Sequence, residues 1–171
     1  MLMNYERIES DEMKKDIKYL VLDVDGTLTD GCVYMGENGE LCKAFNIKDG
    51  YGIANIALPA GIETVIITGR MSTIVKNRAA ELKISKVYQG VSDKRTKLET
   101  ILEETGFSMK NCAYMGDDCN DMDCMLAVKN GGGLVGCPAD AVNEVRNISD
   151  FVSTKDGGRG AVREFIEWIV R

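Results

Sequence analysis

The stretch Tyr19-Leu20-Val21-Leu22-Asp23-Val24-Asp25-Gly26-Thr27-Leu28-Thr29 decides how this chain folds. Its first four residues are a short apolar run, the pattern of a buried strand. Asp23 stands at the carboxyl end of that strand, and open α/β sheets hold their ligand sites outside the carboxyl ends of strands. Two carboxylates, Asp23 and Asp25, therefore converge on one place, and Gly26 lets the chain turn tightly beside them.

Comparable apolar runs recur at Thr64-Val65-Ile66-Ile67-Thr68, Val87-Tyr88, Cys112-Ala113-Tyr114-Met115, Gly133-Leu134-Val135 and Phe151-Val152. Segments of helical spacing or helix-forming composition separate them. The alternation predicts an α/β fold, a Rossmann-like doubly wound parallel sheet. Local signals place the helices: Ser92 or Asp93 can cap Lys94–Thr105, which Gly106 closes, and Ser72 can cap a helix running to about Leu82. Another helix should start near Gly50 and end before Pro59, and a final one is expected over Ala161–Val170. Between the first two strands, Val33-Tyr34-Met35 and residues 41–45 flank Gly36-Glu37-Asn38-Gly39, which reads as a β-hairpin protrusion.

A chain of 171 residues suits one domain that buries a full core without staples. The expected organisation is an N-terminal extension over residues 1–18 and one domain over residues 19–171. With 44% hydrophobic and 28% charged residues the balance is globular, and two prolines leave no room for long Pro-rich linkers. The net charge of −6 provides no general basic surface, which argues against nucleic acid as a partner. A small anionic substrate would then need local positive groups, a bound cation among them. The six cysteines form no CxxC pair and there is no histidine, so the usual zinc patterns are excluded and reduced, buried thiols are expected. The charged N-terminus lacks a signal-peptide core and no stretch is long enough to span a bilayer, so a cytoplasmic protein with no membrane partner is the expectation.

The chemistry-bearing residues follow the strands. An aspartate can attack phosphorus and form an aspartyl-phosphate, while a carboxyl two residues on can protonate the leaving oxygen and later activate water. Taken alone, Asp23-Val24-Asp25-Gly26 also reads as a plain turn after a strand. Thr68-Gly69-Arg70 follows the second strand of the sheet and offers a hydroxyl, an amide and a guanidinium to an anion. Lys94 begins a helix after the third, where a point charge and the helix N-terminus both suit phosphate, although an isolated lysine there is commonly just solvated. Gly116-Asp117-Asp118-Cys119-Asn120-Asp121 follows the fourth and gathers carboxylates that would repel one another without a cation. A hard, oxygen-seeking ion such as Mg²⁺ suits such ligands, and the same cluster alone can be a solvated loop. The order of these four segments at four successive strand ends argues against coincidence.

That order resembles the four motifs of the haloacid dehalogenase superfamily. The resemblance implies Asp23 as nucleophile, Asp25 as acid/base, Thr68 and Lys94 on the phosphate, and Mg²⁺ held by Asp23, the Asp25 carbonyl and Asp117. It further implies that Asp118 and Asp121 hold the metal's waters and Lys94. Aspartate at position 25 is similar to the phosphatase and mutase branches. Only the hairpin and one helix separate Asp25 from Thr68, and Arg70 to Lys94 is also short, so no cap domain is expected.

Within the superfamily the chain resembles the capless phosphatases of the eight-carbon sugar acid 3-deoxy-D-manno-octulosonate 8-phosphate, which serve lipopolysaccharide synthesis. The likeness rests on Phe45-Asn46-Ile47-Lys48-Asp49-Gly50-Tyr51-Gly52, Ile67-Thr68-Gly69-Arg70, Tyr88-Gln89-Gly90-Val91-Ser92-Asp93-Lys94 and Gly157-Gly158-Arg159-Gly160-Ala161. It implies a phosphorylated sugar acid as substrate, met by Thr68, Gly69, Arg70, Arg78, Lys94, Lys48, Asp49 and Arg159. It also implies a homotetramer in which hairpins join subunits and the Gly157–160 segment, with no evident role in its own domain, reaches a neighbour's site. Relatives acting on nine-carbon, sialic-acid-type 9-phosphates tend to carry glutamate at positions 70 and 159, so Arg70 favours the eight-carbon substrate. An idle subunit that uses the fold for assembly is the reading from another class, and the presence of every proposed catalytic group counts against it.

Overall fold

The computed structural model describes residues 17–171. The expected extension therefore lies outside the described residues except for its last two. Ile17 is buried in the core and the Lys18 amide donates to the Asn111 carbonyl at 2.8 Å, so the domain already includes them.

Six parallel strands form the sheet: β1 (Tyr19–Leu22), β4 (Glu63–Ile67), β5 (Lys86–Tyr88), β6 (Cys112–Met115), β7 (Leu134–Cys137) and β8 (Phe151–Val152). Their order is β5-β4-β1-β6-β7-β8. The chain builds outward from β1 on one side and then returns to start the other side at β6. The topological switch point, where such sheets open a crevice, thus lies between β1 and β6. A separate antiparallel hairpin, β2 (Tyr34–Gly36) with β3 (Gly39–Cys42), stands off the sheet.

Alternate residues of each strand feed two cores, as the period of two requires. Leu20, Leu22, Ile66, Ala113 and Met115 join Val75, Phe165, Ile166 and Ile169 on one face. Tyr19, Val21, Val65, Ile67 and Tyr114 join Leu98, Ile101, Met125 and Val128 on the other. Both faces are covered by helices, which is why the strands read as unbroken apolar runs.

The helices follow the local signals with instructive exceptions. Helix α3 (Lys94–Thr105) is capped by the Asp93 carboxylate, which accepts from the Thr96 amide at 2.9 Å, and Gly106 closes it at φ 73°. Helix α6 spans Ala161–Val170. Helix α1 (Ile47–Gly52) starts earlier than the expected Gly50, because the Asn46 side chain accepts from the Lys48 amide and caps it there. A wide π-type turn (Ile53–Ala57) then carries the helix to its expected end before Pro59. Gly50 is inside this helix because a side chain would collide with Arg78, whose Nη2 lies 2.4 Å from the position of a Cβ. Helix α2 (Thr73–Glu81) follows Ser72, but the Ser72 side chain makes no cap; its hydroxyl donates to Glu40 instead. The hairpin is shorter than expected, with Glu37-Asn38 as its turn and β3 ending at Cys42.

Residues 157–160 have a role inside their own domain that the sequence does not suggest. The Gly158 amide donates to the Thr27 carbonyl at 3.1 Å and its own carbonyl accepts from Asn46. A Cβ on Gly157 would lie 1.8 Å from the Gly26 carbonyl oxygen. The segment is a strap across the loop after β1, and glycine is there because backbone meets backbone. No helix among the described residues is long and apolar enough to cross a membrane.

Candidate active site

The site forms where β1 and β6 end side by side. β1 delivers Asp23, whose amide donates to the Met115 carbonyl of β6 at 3.1 Å and whose side chain is almost fully buried. The loop after β6 delivers Asp117 and Asp118, and helix α4 (Cys119–Asn130) delivers Asp121. Asp118 caps α4, while the Asp121 carboxylate reaches back to the amides of Asp117 and Asp118 in a capping box. This is the local reason that the acidic run folds as a helix start with its carboxylates turned inward.

Lys94 arrives from the start of α3. Its side chain is 2% exposed, and its ammonium lies 2.8 Å from Asp23 Oδ1 and 2.7 Å from Asp121 Oδ1. The same Asp121 oxygen accepts from the Tyr114 hydroxyl at 2.7 Å. Asp121 thus holds Lys94, Tyr114 and the Asp117–Asp118 turn in place. The Thr27 hydroxyl donates to Asp117 Oδ1 at 3.0 Å, tying the two loops together.

Electrostatics mark this cluster. Burial, then repulsion from Asp121, push Asp23 up to about 6 despite the Lys94 ammonium. Burial and the charges of Asp23 and Asp121 push Asp117 up to about 8. Burial opposes the charge on Lys94, but the attraction of Asp23 and Asp121 outweighs it and raises the lysine. Ligand oxygens of Asp23, Asp117 and Asp121 lie within 4.8 Å of one another. A hard divalent cation fits this donor set: it is all oxygen, and added positive charge would relieve the crowding that raises both acids.

A cleft of about 260 Å³ opens over these groups, lined by Asp23, Asp25, Gly31, Thr68, Gly69, Arg70, Asp117, Asp118 and Asn120. The four expected segments, each after its own strand, therefore meet in one place. Other expected residues do not reach it. Asp49 is buried under α6, where its carboxylate accepts from the Gly160 and Arg163 amides at 3.3 and 2.8 Å. Arg78 pairs with Glu81 and packs over Phe45, lining a separate apolar gap beneath α2. Lys48 is exposed and lines neither cavity, and Arg159, whose expected place is a neighbouring subunit's site, is exposed on its own chain.

The structure adds residues that sequence reasoning passed over. Thr27 and Tyr114 sit inside quoted segments, so their nearness to the carboxylates was readable. Lys43 was not, because a lysine just past an exposed strand looks solvated. Yet it is in hydrogen-bond contact with Asp25 Oδ1. Its other partner, Glu40, accepts from Arg70 Nη2 at 3.2 Å and from Ser72.

No protein-family model matches the chain. It is 44% identical over 168 residues to 3-deoxy-D-manno-octulosonate 8-phosphate phosphatase KdsC of Escherichia coli K12, covering 97% of this chain and 87% of that protein. The crystal structure of the phosphatase of that name from Moraxella catarrhalis, in complex with magnesium, phosphate and KDO, superposes with a TM-score of 0.86 at 38% identity. That match covers 95% of this chain and 90% of the other. A Legionella pneumophila protein assigned to the HAD superfamily, subfamily III A hydrolases, gives a TM-score of 0.88 at 33% identity over 99% of this chain and 91% of its own.

Proposed function

The chain belongs to the KdsC phosphatase family of the haloacid dehalogenase superfamily, and from that premise we propose that it is a Mg²⁺-dependent phosphomonoesterase acting on 3-deoxy-D-manno-octulosonate 8-phosphate. The observation that carries this reading is the buried Asp23, set at the switch point with Lys94 at 2.8 Å on one oxygen. A carboxylate so placed is held in its reactive orientation and faces the cleft through which a phosphate ester enters.

In the first half-reaction an Asp23 oxygen bonds to phosphorus, the ester P–O bond breaks, and the sugar oxygen takes a proton from the Asp25 carboxyl. In the second, a water oxygen bonds to phosphorus and gives its proton to Asp25. The acyl-phosphate P–O bond then breaks, restoring the Asp23 carboxylate and releasing inorganic phosphate. Thr68 and Lys94 offer a hydroxyl and an ammonium to the phosphoryl oxygens, and Asp121 keeps Lys94 aimed. Asp23, Asp117 and the Asp25 carbonyl would hold Mg²⁺, with Asp118 meeting its waters. The bound ion supplies positive charge that offsets the repulsion between phosphate and these carboxylates.

Arg70 on the cleft wall supports the eight-carbon substrate, since a guanidinium can pair with the sugar's carboxylate. A panel of phosphorylated sugars and sugar acids with Mg²⁺ tests this reading through kcat/KM. A preference for nine-carbon 9-phosphates would move the assignment to that relative, and no turnover of any phosphomonoester would support the idle-subunit reading.

A closed symmetric homotetramer joined through the hairpins accompanies this reading. Val33, Met35 and Leu41 on the hairpin are 49%, 64% and 70% exposed, an apolar surface that a second copy would cover. A monomeric mass in solution would refute it.

A further inference from the structure

The hairpin carries one charge that is withdrawn from water. β2 is exposed along its length, yet the Lys43 side chain, just past β3, is only 2% exposed. Removing an ammonium from water is costly unless it is well paired. Lys43 has two partners: Asp25 Oδ1, with which it is in direct hydrogen-bond contact, and Glu40 Oε1 at 2.9 Å. Glu40 also receives Arg70 Nη2 at 3.2 Å and the Ser72 hydroxyl. On the other side of Asp25, Oδ2 faces Arg70 Nε at 3.9 Å. The hairpin thus ends in a ring of alternating charge, Asp25, Lys43, Glu40 and Arg70, with Asp25 at the cleft.

We propose that Lys43 is the positioning residue for the Asp25 carboxyl group, resting on the phosphatase reading above. The Asp25 side chain is 21% exposed, and without a partner it would sample several rotamers at the mouth of the cleft. The Lys43 ammonium occupies Oδ1 and leaves Oδ2 as the oxygen that delivers and collects the proton, on the side of Thr68-Gly69-Arg70. Glu40 holds Lys43 and Arg70 at once, so the same hairpin orients the proton carrier and one cationic wall of the cleft. Lys43 acts through Asp25 and touches neither phosphorus nor the leaving oxygen.

The test separates positioning of the acid/base from general damage. Lys43→Met, Lys43→Arg and the parent are assayed with Mg²⁺ on a sugar-acid phosphate and on p-nitrophenyl phosphate, whose leaving group needs no proton. For Lys43→Met, kcat on the sugar phosphate is expected to fall by about 10²-fold, the scale of a lost acid/base contribution, with KM changed less than about threefold. On p-nitrophenyl phosphate the first turnover is expected to stay within about fivefold of the parent and to appear as a burst of one nitrophenolate per site, because only the later attack by water still needs Asp25. Lys43→Arg is expected to recover most of the loss. An unchanged kcat on the sugar phosphate, or an equal loss in the first turnover on both substrates by a folded variant, overturns the proposal. If Lys43→Met does not fold, Glu40→Gln, which loosens Lys43 while keeping its charge, takes its place with the same expected split. A parent inactive on both esters would instead refute the phosphatase reading itself.

Discussion

Oδ1 of Asp23 lies 2.8 Å from Nζ of Lys94, and both residues are almost fully buried. The pair is completed by Asp121, so one ammonium offsets two carboxylates. Lys94→Met should leave both buried acids without their countercharge, which costs about 3–5 kcal/mol. Denaturant unfolding should register that loss, and phosphatase activity should fall with it. A stability within about 1 kcal/mol of the parent would mean that this pair contributes far less than buried pairs do.

Asp23→Asn should abolish hydrolysis while the protein still folds, because the amide keeps the side-chain volume but cannot attack phosphorus. Asp25→Asn should be nearly as inactive. Activity of purified Asp23→Asn within a few-fold of the parent would exclude the covalent route.

Asp117 and Asp23 should make the metal-free protein sensitive to alkali. Their carboxyls are raised from 3.8 to about 8 and about 6. A carboxyl whose folded pKa lies above its unfolded one stabilises the fold while protonated, so its contribution is complete below about pH 4 and is lost as pH rises through the folded values. In EDTA, Tm should therefore fall as pH rises from about 5 to about 8, and Asp117→Asn should flatten that fall. Even one unit of the Asp117 shift corresponds to about 1.4 kcal/mol, a few degrees in Tm for a domain of this size. Saturating Mg²⁺ should remove the difference, and melting that ignores pH in EDTA would contradict the electrostatic account.

Magnesium should be required for turnover and calcium should not replace it. The larger ion takes more ligands at longer, looser distances, which displaces phosphate from the Asp23 carboxylate. Full activity with Ca²⁺ after Mg²⁺ removal would count against Asp23 and Asp117 as the metal's carboxylates.

Gly157→Ala should damage the site from a distance. The new Cβ would meet the Gly26 carbonyl at 1.8 Å, and that carbonyl belongs to the loop carrying Asp25 and Thr27. Overpacking of this kind costs about 1–3 kcal/mol, and kcat should fall because the Asp25 loop is pushed away. An alanine variant with parental Tm and kcat would show that the strap yields at no cost.

Much of this was legible before any coordinates. The four central apolar runs became parallel strands because a strand buried on both faces leaves no alternation to misread. Lys94–Thr105 was readable at both ends because its limits are set locally, by Asp93 and Gly106. α1 starts upstream of the expected Gly50 because Asn46 supplies the cap, while the glycine serves contact with Arg78. Arg78 and Asp49 are substrate ligands by the resemblance, yet in this chain Arg78 pairs with Glu81 and packs over Phe45, and Asp49 accepts from the Gly160 and Arg163 amides.

The sequence by itself determined the strands, their parallel α/β class and the four segments of the site, since each depends on neighbours along the chain: strand periodicity, capping and a turn at a strand end. Only the tertiary structure decided which charges meet. Lys43 reaches Asp25 across 18 positions, and Gly160 reaches Asp49 across 111. Such pairings are fixed by how the hairpin, strap and helices pack, and Coulomb attraction between groups removed from water depends on that distance and burial, neither of which is written in the spacing of residues along the chain.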